Sequence, residues 1–423
     1  MQILFVHQSF PGQYVHLAPA LAARGHDVVA LTTAAAPASI APGVKIVRYA
    51  IRRGNTPGMH RWAAEFETKI LRAEAAARVA HALKAQGFMP DVICAHPGWG
   101  EAMFLKDVWP RAGLLSYCEF YYKAEGSDVD FDPEFSAPSV ETNARLRAKN
   151  ACNLLSLEAA DWCVSPTEWQ RSLFPHWVQP RISVVHDGID TEVARPDPEA
   201  RFLLEDAGIE LTSGDEVVTF VSRNLEPYRG YHVFMRALPE LLRERPSARV
   251  LIVGGDKVSY GAPPSGEKSW KEIFLAEVAA DLDLSRVHFL GTLPYPRLLN
   301  LLQVSAAHVY LSYPFVLSWS LLEAMSIGCL VVGSRTAPVE EVVRHGENGL
   351  LVDFFDPPTL ARTIASVLAN PEAYVPLRKK ARSHVIERYD LRSTCLPRHI
   401  ALVESLRTSV ARRSAAFSSA IPA

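Results

Sequence analysis

Short runs of consecutive apolar residues punctuate this chain, and most are followed by a turn bearing glycine or proline and then by a stretch with helical spacing. Ile3-Leu4-Phe5-Val6, Val28 to Thr32, Asp91 to Ala95, Leu114 to Cys118, Trp162 to Val164 and Ile182 to Val185 form a first series. Val217 to Val221, Val250 to Val253, Val287 to Leu290 and Leu330 to Val332 form a second. Runs that do not alternate with polar residues suit strands buried on both faces, as in parallel sheets covered by helices. Helices are predicted over Tyr14 to Arg24, Glu141 to Glu158 and, from a basic, alanine-rich pattern, over Lys45 to Lys84. Strand, turn, helix and strand in succession give right-handed βαβ units, whose ligands collect at the C-terminal edge of the sheet.

The stretch from Tyr313 to Val352 carries the densest signal. Leu321-Leu322-Glu323-Ala324-Met325 are strong helix formers, Gly328 ends that helix, and Leu330-Val331-Val332 is a short buried strand. Ser318 and Ser320 fall at the helix N-terminus, where free N–H groups and partial positive charge favour phosphate or sugar oxygens. Upstream, the run Val217 to Val221 leads to Arg223 and Arg229, two cations at a strand's C-terminal edge.

Over nearly its whole length, and most strongly from Arg223 to Val352 where the donor-binding half would lie, the chain resembles a family 4 retaining glycosyltransferase. The resemblance rests on Arg223 and Arg229-Gly230, on LLEAM at 321–325, and on E-V-V-x-x-G-x-N-G-L-L-V ending at Val352. It implies an α/β chain of the GT-B fold, two Rossmann-like domains facing each other across a donor-binding cleft. On that reading residues 1–200 form the acceptor-side domain, 201–390 the nucleotide-sugar domain, and 391–423 a helix crossing back to the first domain with a frayed tail from Ser409. The implied activity is transfer of a sugar, with retention, from a nucleotide-diphosphate sugar to a hydroxyl of a glycan, glycolipid or small molecule. Neither a cofactor nor a metal is implied.

The resemblance also distributes roles. Arg223 and Arg229 would grip the diphosphate, and His96, at the end of Asp91 to Ala95, would face the donor sugar. Glu323 would hold the ribose, and Thr292 and Leu293 would lie in the base-binding turn. Gly12 would sit in the first loop, and Phe315, Ser318, Trp319, Ser320 and Leu321 would line the donor loop. Two positions depart from the family pattern: Phe315 replaces its first glutamate, and Ser318 the glycine of its F-G pair.

Composition narrows the alternatives. Of the 423 residues 48% are hydrophobic and 21% charged, with net charge −2, so no global field favours nucleic acid. Six scattered cysteines without a C-x-x-C pair read as reduced, buried thiols of a cytoplasmic protein. Neither G-x-G-x-x-G nor a P-loop motif occurs, which counts against dehydrogenases and P-loop NTPases. Leu298 to Leu322 lacks Asp, Glu, Lys and Arg, but Asn300, Gln303, His308 and Pro314 make it a helix, a strand and a loop rather than a membrane span. The arginines among Lys45 to Lys84 allow a peripheral membrane contact, with a solvated helix face as the plainer reading. Asp128, Asp130 and Asp132 alternate as metal ligands can, yet the loop lacks the glycine and glutamate of a calcium site, and it is expected to be a solvated or self-structuring loop on the acceptor side. Two other functions fit this architecture: a sugar-nucleotide epimerase, and a donor-binding homologue whose catalysis is impaired.

Overall fold

The computed structural model describes residues 1–34, 41–136, 139–205 and 207–419, with side chains in the last helix through Arg407. The chain divides into two compact units, one of Met1–Glu125, Pro138–Asp187 and Arg392–Ala423, the other of Gly126–Ala137 and Gly188–Leu391.

The first unit is built on a seven-stranded parallel sheet of β1 (Gln2–Val6), β2 (Asp27–Thr32), β3 (Val44–Arg48), β4 (Val92–Ala95), β5 (Gly113–Tyr117), β6 (Trp162–Ser165) and β7 (Ile182–Val184), in the order β3-β2-β1-β4-β5-β6-β7. Ile3 and Phe5 of β1 enter one core and Leu4 and Val6 the other, which is why this strand reads as an unbroken apolar run. The order reverses between β1 and β4, which pair in parallel, and such a reversal opens a crevice at the carboxyl ends of the two strands. The last helix, Leu396–Ser419, belongs to this unit and sends Val403 and Leu406 into its core. Its backbone is helical through Ser419, beyond Ser409 where fraying was expected, and residues 420–423 lie outside the described residues.

The second unit carries a six-stranded parallel sheet of β10 (Val217–Asn224), β11 (Arg249–Gly255), β12 (Val287–Gly291), β13 (Ala307–Tyr310), β14 (Leu330–Ser334) and β15 (Leu350–Val352), ordered β12-β11-β10-β13-β14-β15. A short antiparallel hairpin, β8 (Arg201–Leu204) and β9 (Ile209–Thr212), precedes it. Here the reversal falls between β10 and β13. The helix Trp319–Ile327 is buried on every side from Ser320 to Ile327, with Ser318 as N-cap and Gly328 as C-cap.

Three sequence expectations need correction. Lys45 to Lys84 is not one helical region: β3 pairs with β2 at its start, an exposed loop follows, and the helix is Ala64–Ala85. Val44 and Ile46 pack on one core and Val47 against the other, with Lys45 and Arg48 exposed, and so short a mixed pattern does not separate an edge strand from a helix. The Asp128 to Asp132 loop structures itself through Asp130, one of the two expected roles, but it is neither solvated nor on the acceptor side: its segment packs within the second unit, with Asp128 and Asp132 buried. Residues 188–200 likewise group with the second unit, so the division falls at Asp187 rather than at residue 200. The Leu298 to Leu322 stretch resolves into the end of a helix (Tyr295–Gln303), β13, a loop and the start of the helix Trp319–Ile327.

Candidate active site

In the first unit the reversal places the loop after β1 beside the loop after β4. His7 follows β1, and Gly12 adopts φ +49° with no room for a side chain, since a Cβ there would lie 2.3 Å from Cε1 of His7. His96 follows β4 and is 6% exposed. Its Nδ1 accepts from the Gly98 N–H at 3.1 Å, which leaves the proton on Nε2 to donate to Glu119 at 3.1 Å. Its ring stacks on Trp99 with centroids 4.6 Å apart. Gln13 Nε2 donates to the other oxygen of Glu119 at 3.2 Å. Burial works to raise the Glu119 carboxyl, but the His96 hydrogen bond and the neighbouring imidazoles and amide bring it below the usual carboxylate range. Burial, with His96 beside it, lowers His7 to about 4. The group at this edge is therefore an ionised carboxylate with a neutral His7 beside it.

In the second unit, β10 ends at Arg223 and Asn224, and the turn Pro227–Arg229 closes on Gly230. Gly230 has φ +67°, and a Cβ on it would meet Cβ of Leu311 at 2.4 Å, so the β10 and β13 loops touch only because this residue is glycine. The two expected cations differ sharply. Arg223 is exposed and, among the described residues, makes no ion pair. Arg229 is 7% exposed, and its guanidinium donates to Tyr310 Oη at 3.2 Å, Ser312 Oγ at 2.8 Å and the Val316 carbonyl at 3.0 Å. Tyr260 and Phe315 stand over the guanidinium, 5.3 and 5.7 Å from its carbon to their ring centres. The loop bearing Tyr260 is held by Glu226, whose carboxylate accepts from the N–H groups of Ser259, Tyr260 and Gly261.

Tyr310 Oη also accepts from the Ser318 N–H at 2.8 Å, which joins the Arg229 site to the start of the helix Trp319–Ile327. Ser318 Oγ accepts from the Ser320 N–H. One turn further on, Glu323 is 7% exposed in a helix otherwise lined by apolar and small residues. Burial raises its carboxyl above the usual range, opposed by a hydrogen bond from Tyr295. A carboxyl buried at such cost, with a phenol as partner, is a candidate for a functional position. Thr292 is exposed in the turn after β12, Leu293 packs on the core beneath it, Leu321 is fully buried and Trp319 is 39% exposed. The structure thus gathers Arg229, Phe315, Ser318, Ser320 and Glu323 around the β10–β13 reversal, and sets Gly12 and His96 at the reversal of the first unit.

Glu119, Glu226, Tyr260, Tyr295, Tyr310 and Ser312 were not anticipated. Only Glu119 had a usable sequence signal, a carboxylate just after an apolar strand run. Among the described residues one group has the spacing of metal ligands, Asp132, Glu134 and His232, whose ligand atoms lie within 4.8 Å of one another. Each has protein partners: Asp132 binds Tyr313 and His232, and Glu134 binds Arg236. Three of the six arginines of the basic stretch are ion-paired, Arg53 with Glu67, Arg61 with Glu141 and Arg78 with Glu74. No helix among the described residues is long and apolar enough to cross a membrane.

Comparison with known proteins agrees with this geometry. Residues 24–194 match the model of the glycosyl transferase family 4 group, and residues 205–384 that of the glycosyl transferases group 1. A D-inositol 3-phosphate glycosyltransferase of Corynebacterium efficiens is 27% identical over 388 residues, 86% of this chain and 83% of the relative. The same-named protein of Acidothermus cellulolyticus is 32% identical over 211 residues, 49% of this chain and 44% of its own length. Among solved structures, sucrose-phosphate synthase from Thermosynechococcus elongatus superposes with a TM-score of 0.67 at 19% identity, covering 100% of both chains. Anabaena HepE in complex with UDP and glucose does so with a TM-score of 0.62 at 17% identity, covering 98% of this chain and 100% of its own. The fold is GT-B, with two parallel-sheet α/β domains.

Proposed function

Because the chain belongs to the family 4, group 1 glycosyltransferases, we propose that it transfers a sugar, with retention of configuration, from a nucleotide-diphosphate sugar to an acceptor hydroxyl. The observation that carries this reading is the grouping, at one strand reversal, of the buried Glu323 carboxylate with Arg229, Ser318 and the end of β10 at Arg223. Glu323 holds the ribose, since a carboxylate fixed on a helix can accept from two vicinal hydroxyls. Arg223 and Arg229 face the diphosphate. As the glycosidic C–O bond breaks, negative charge grows on that group, and fixed cations lower the barrier. The acceptor oxygen bonds to the anomeric carbon as the departing phosphate oxygen takes its proton on the same face, so no protein nucleophile is required, and the two arginines take the place of a divalent ion. HepE with bound UDP supports a uridine nucleotide as the first donor to try. The acceptor is a glycan, glycolipid or small molecule.

Phe315 favours a second reading, a donor-binding protein without turnover. One experiment separates the readings: thermal-shift titration with UDP-, GDP- and ADP-sugars, followed by product analysis with and without candidate acceptors. A ligand that binds only the folded state raises the melting temperature. Binding with transfer supports the first reading, and the anomeric configuration of the product tests retention. Binding without turnover supports the second, and conversion of the donor alone marks an epimerase.

A further inference from the structure

The segment Gly126–Ala137 leaves the first half of the sequence to pack within the second unit. Its alternating acids divide the work. Asp130 caps its own loop, accepting from the N–H groups of Gly126 and Ser127 at 3.0 and 3.3 Å. Asp128 and Asp132 point the other way and are 3% and 2% exposed. Asp128 accepts from Tyr228 Oη at 2.9 Å, and Asp132 accepts from Tyr313 Oη at 2.7 Å while holding His232 Nε2 at 3.1 Å. Phe131 lies between them, its ring 5.2 Å from Tyr313 and 5.1 Å from both Phe354 and Phe355. Beyond it Glu134 makes a two-pronged ion pair with Arg236, both contacts at 2.8 Å, and Phe135 packs edge-on against His232 and Trp270.

The two tyrosines belong to different loops of the β10–β13 reversal. Tyr228 precedes Arg229, and Tyr313 lies two residues before Phe315. They meet directly, with the Tyr313 N–H on the Tyr228 carbonyl at 3.0 Å and ring centres 4.8 Å apart, and Tyr228 also packs edge-on against Phe315 at 5.5 Å. One aspartate of the arm therefore fixes each loop.

We propose that Asp128 and Asp132 are positioning residues for the nucleoside-diphosphate site: acting through Tyr228 and Tyr313, they set the spacing of the two loops that carry Arg229 and Phe315, and so the affinity for the donor. The inference rests on the donor reading above. A phenol bonded to a buried carboxylate has one favoured orientation, and rings held in this way keep the arginine and the loop carbonyl it binds in register. Without the carboxylates the loops keep their sequence but not a single spacing, and a ligand that needs both loops binds more weakly.

The test is a double-mutant cycle on the full chain, with UDP as the calorimetric probe and melting temperature recorded in parallel. Asp128→Ala and Tyr228→Phe are each expected to raise the UDP Kd by about tenfold, the scale of one hydrogen bond to a charged group. The double variant should be no weaker than either single one, and Asp128→Asn, which still offers an accepting oxygen, should recover most of the affinity. Additive losses, or a UDP Kd within twofold of wild type while the melting temperature falls, would reduce the arm to a structural brace and overturn the proposal. If the wild type binds none of UDP, GDP and ADP, the donor reading itself fails and the arm's role with it.

Discussion

The guanidinium carbon of Arg229 lies 5.7 Å from the centre of the ring of Phe315, the residue that by sequence stands against the family's first glutamate. A cation over an aromatic face is held by the ring quadrupole. A phenyl ring accepts no ordinary hydrogen bond from a sugar hydroxyl, but it offers area to the apolar face of a sugar ring. Phe315→Glu should therefore change which nucleotide sugar is consumed, with little effect on binding of the bare nucleotide. Competition between paired donors measures it, and unchanged selectivity would place Phe315 away from the sugar.

Arg223 and Arg229 should respond differently to removal. Arg223 is exposed, so Arg223→Ala should lower turnover more than it raises KM, and leave the melting temperature near wild type. Arg229→Ala would take a donor from Tyr310 and Ser312 and leave the Val316 carbonyl without the guanidinium in a buried place, at a cost of about 1–3 kcal/mol in stability before catalysis is considered. Arg229→Lys keeps the charge and should lose less of both. Denaturant melts beside steady-state kinetics separate the two effects. Activity should survive exhaustive chelation, and strict dependence on a divalent ion would contradict the role given to these cations.

Stability should fall on the acid side because of buried imidazoles. Burial lowers His186 to about 3 and His399 to about 4, and His399 is bonded to the His186 carbonyl at 3.1 Å. In the unfolded chain both titrate near about 6.5, so below that pH the unfolded state binds more protons than the fold. The stabilisation is complete above about pH 6.5 and is lost as pH falls towards 4, with each histidine adding up to about 1.4 kcal/mol per pH unit to the slope. His399→Gln keeps a donor for the His186 carbonyl without the titration. Its unfolding free energy should fall less steeply between about pH 6 and 5 than that of the wild type.

How far the sequence foretold this structure depended on how local each signal was. The apolar runs marked the β1, β4, β5, β10, β11 and β14 strands, and the Ser318 cap and Gly328 stop marked the helix bearing Glu323, because burial on both faces and capping act over a few residues. The edge strand β3 and the hairpin β8–β9 escaped, lacking a continuous apolar run. The partners of Arg229 are up to 87 residues away and those of Asp132 up to 181, distances at which no spacing rule operates. For the same reason the Asp128 to Asp132 alternation, legible as a motif, gave no hint of what it would pack against.

Glu323 is the point on which the account turns. Burial raises its carboxyl above the ordinary range, so its charged form is costly until a ligand supplies donors, and nucleotide affinity should weaken as pH falls and the carboxylate takes up a proton. The most direct measurement is calorimetric titration of UDP into the wild type and Glu323→Gln at neutral pH and at about pH 5. At neutral pH the variant should bind more weakly by about 1.5–3 kcal/mol, and the pH dependence of the wild type should flatten. Equal affinity of the two proteins, with equal pH dependence, would contradict it.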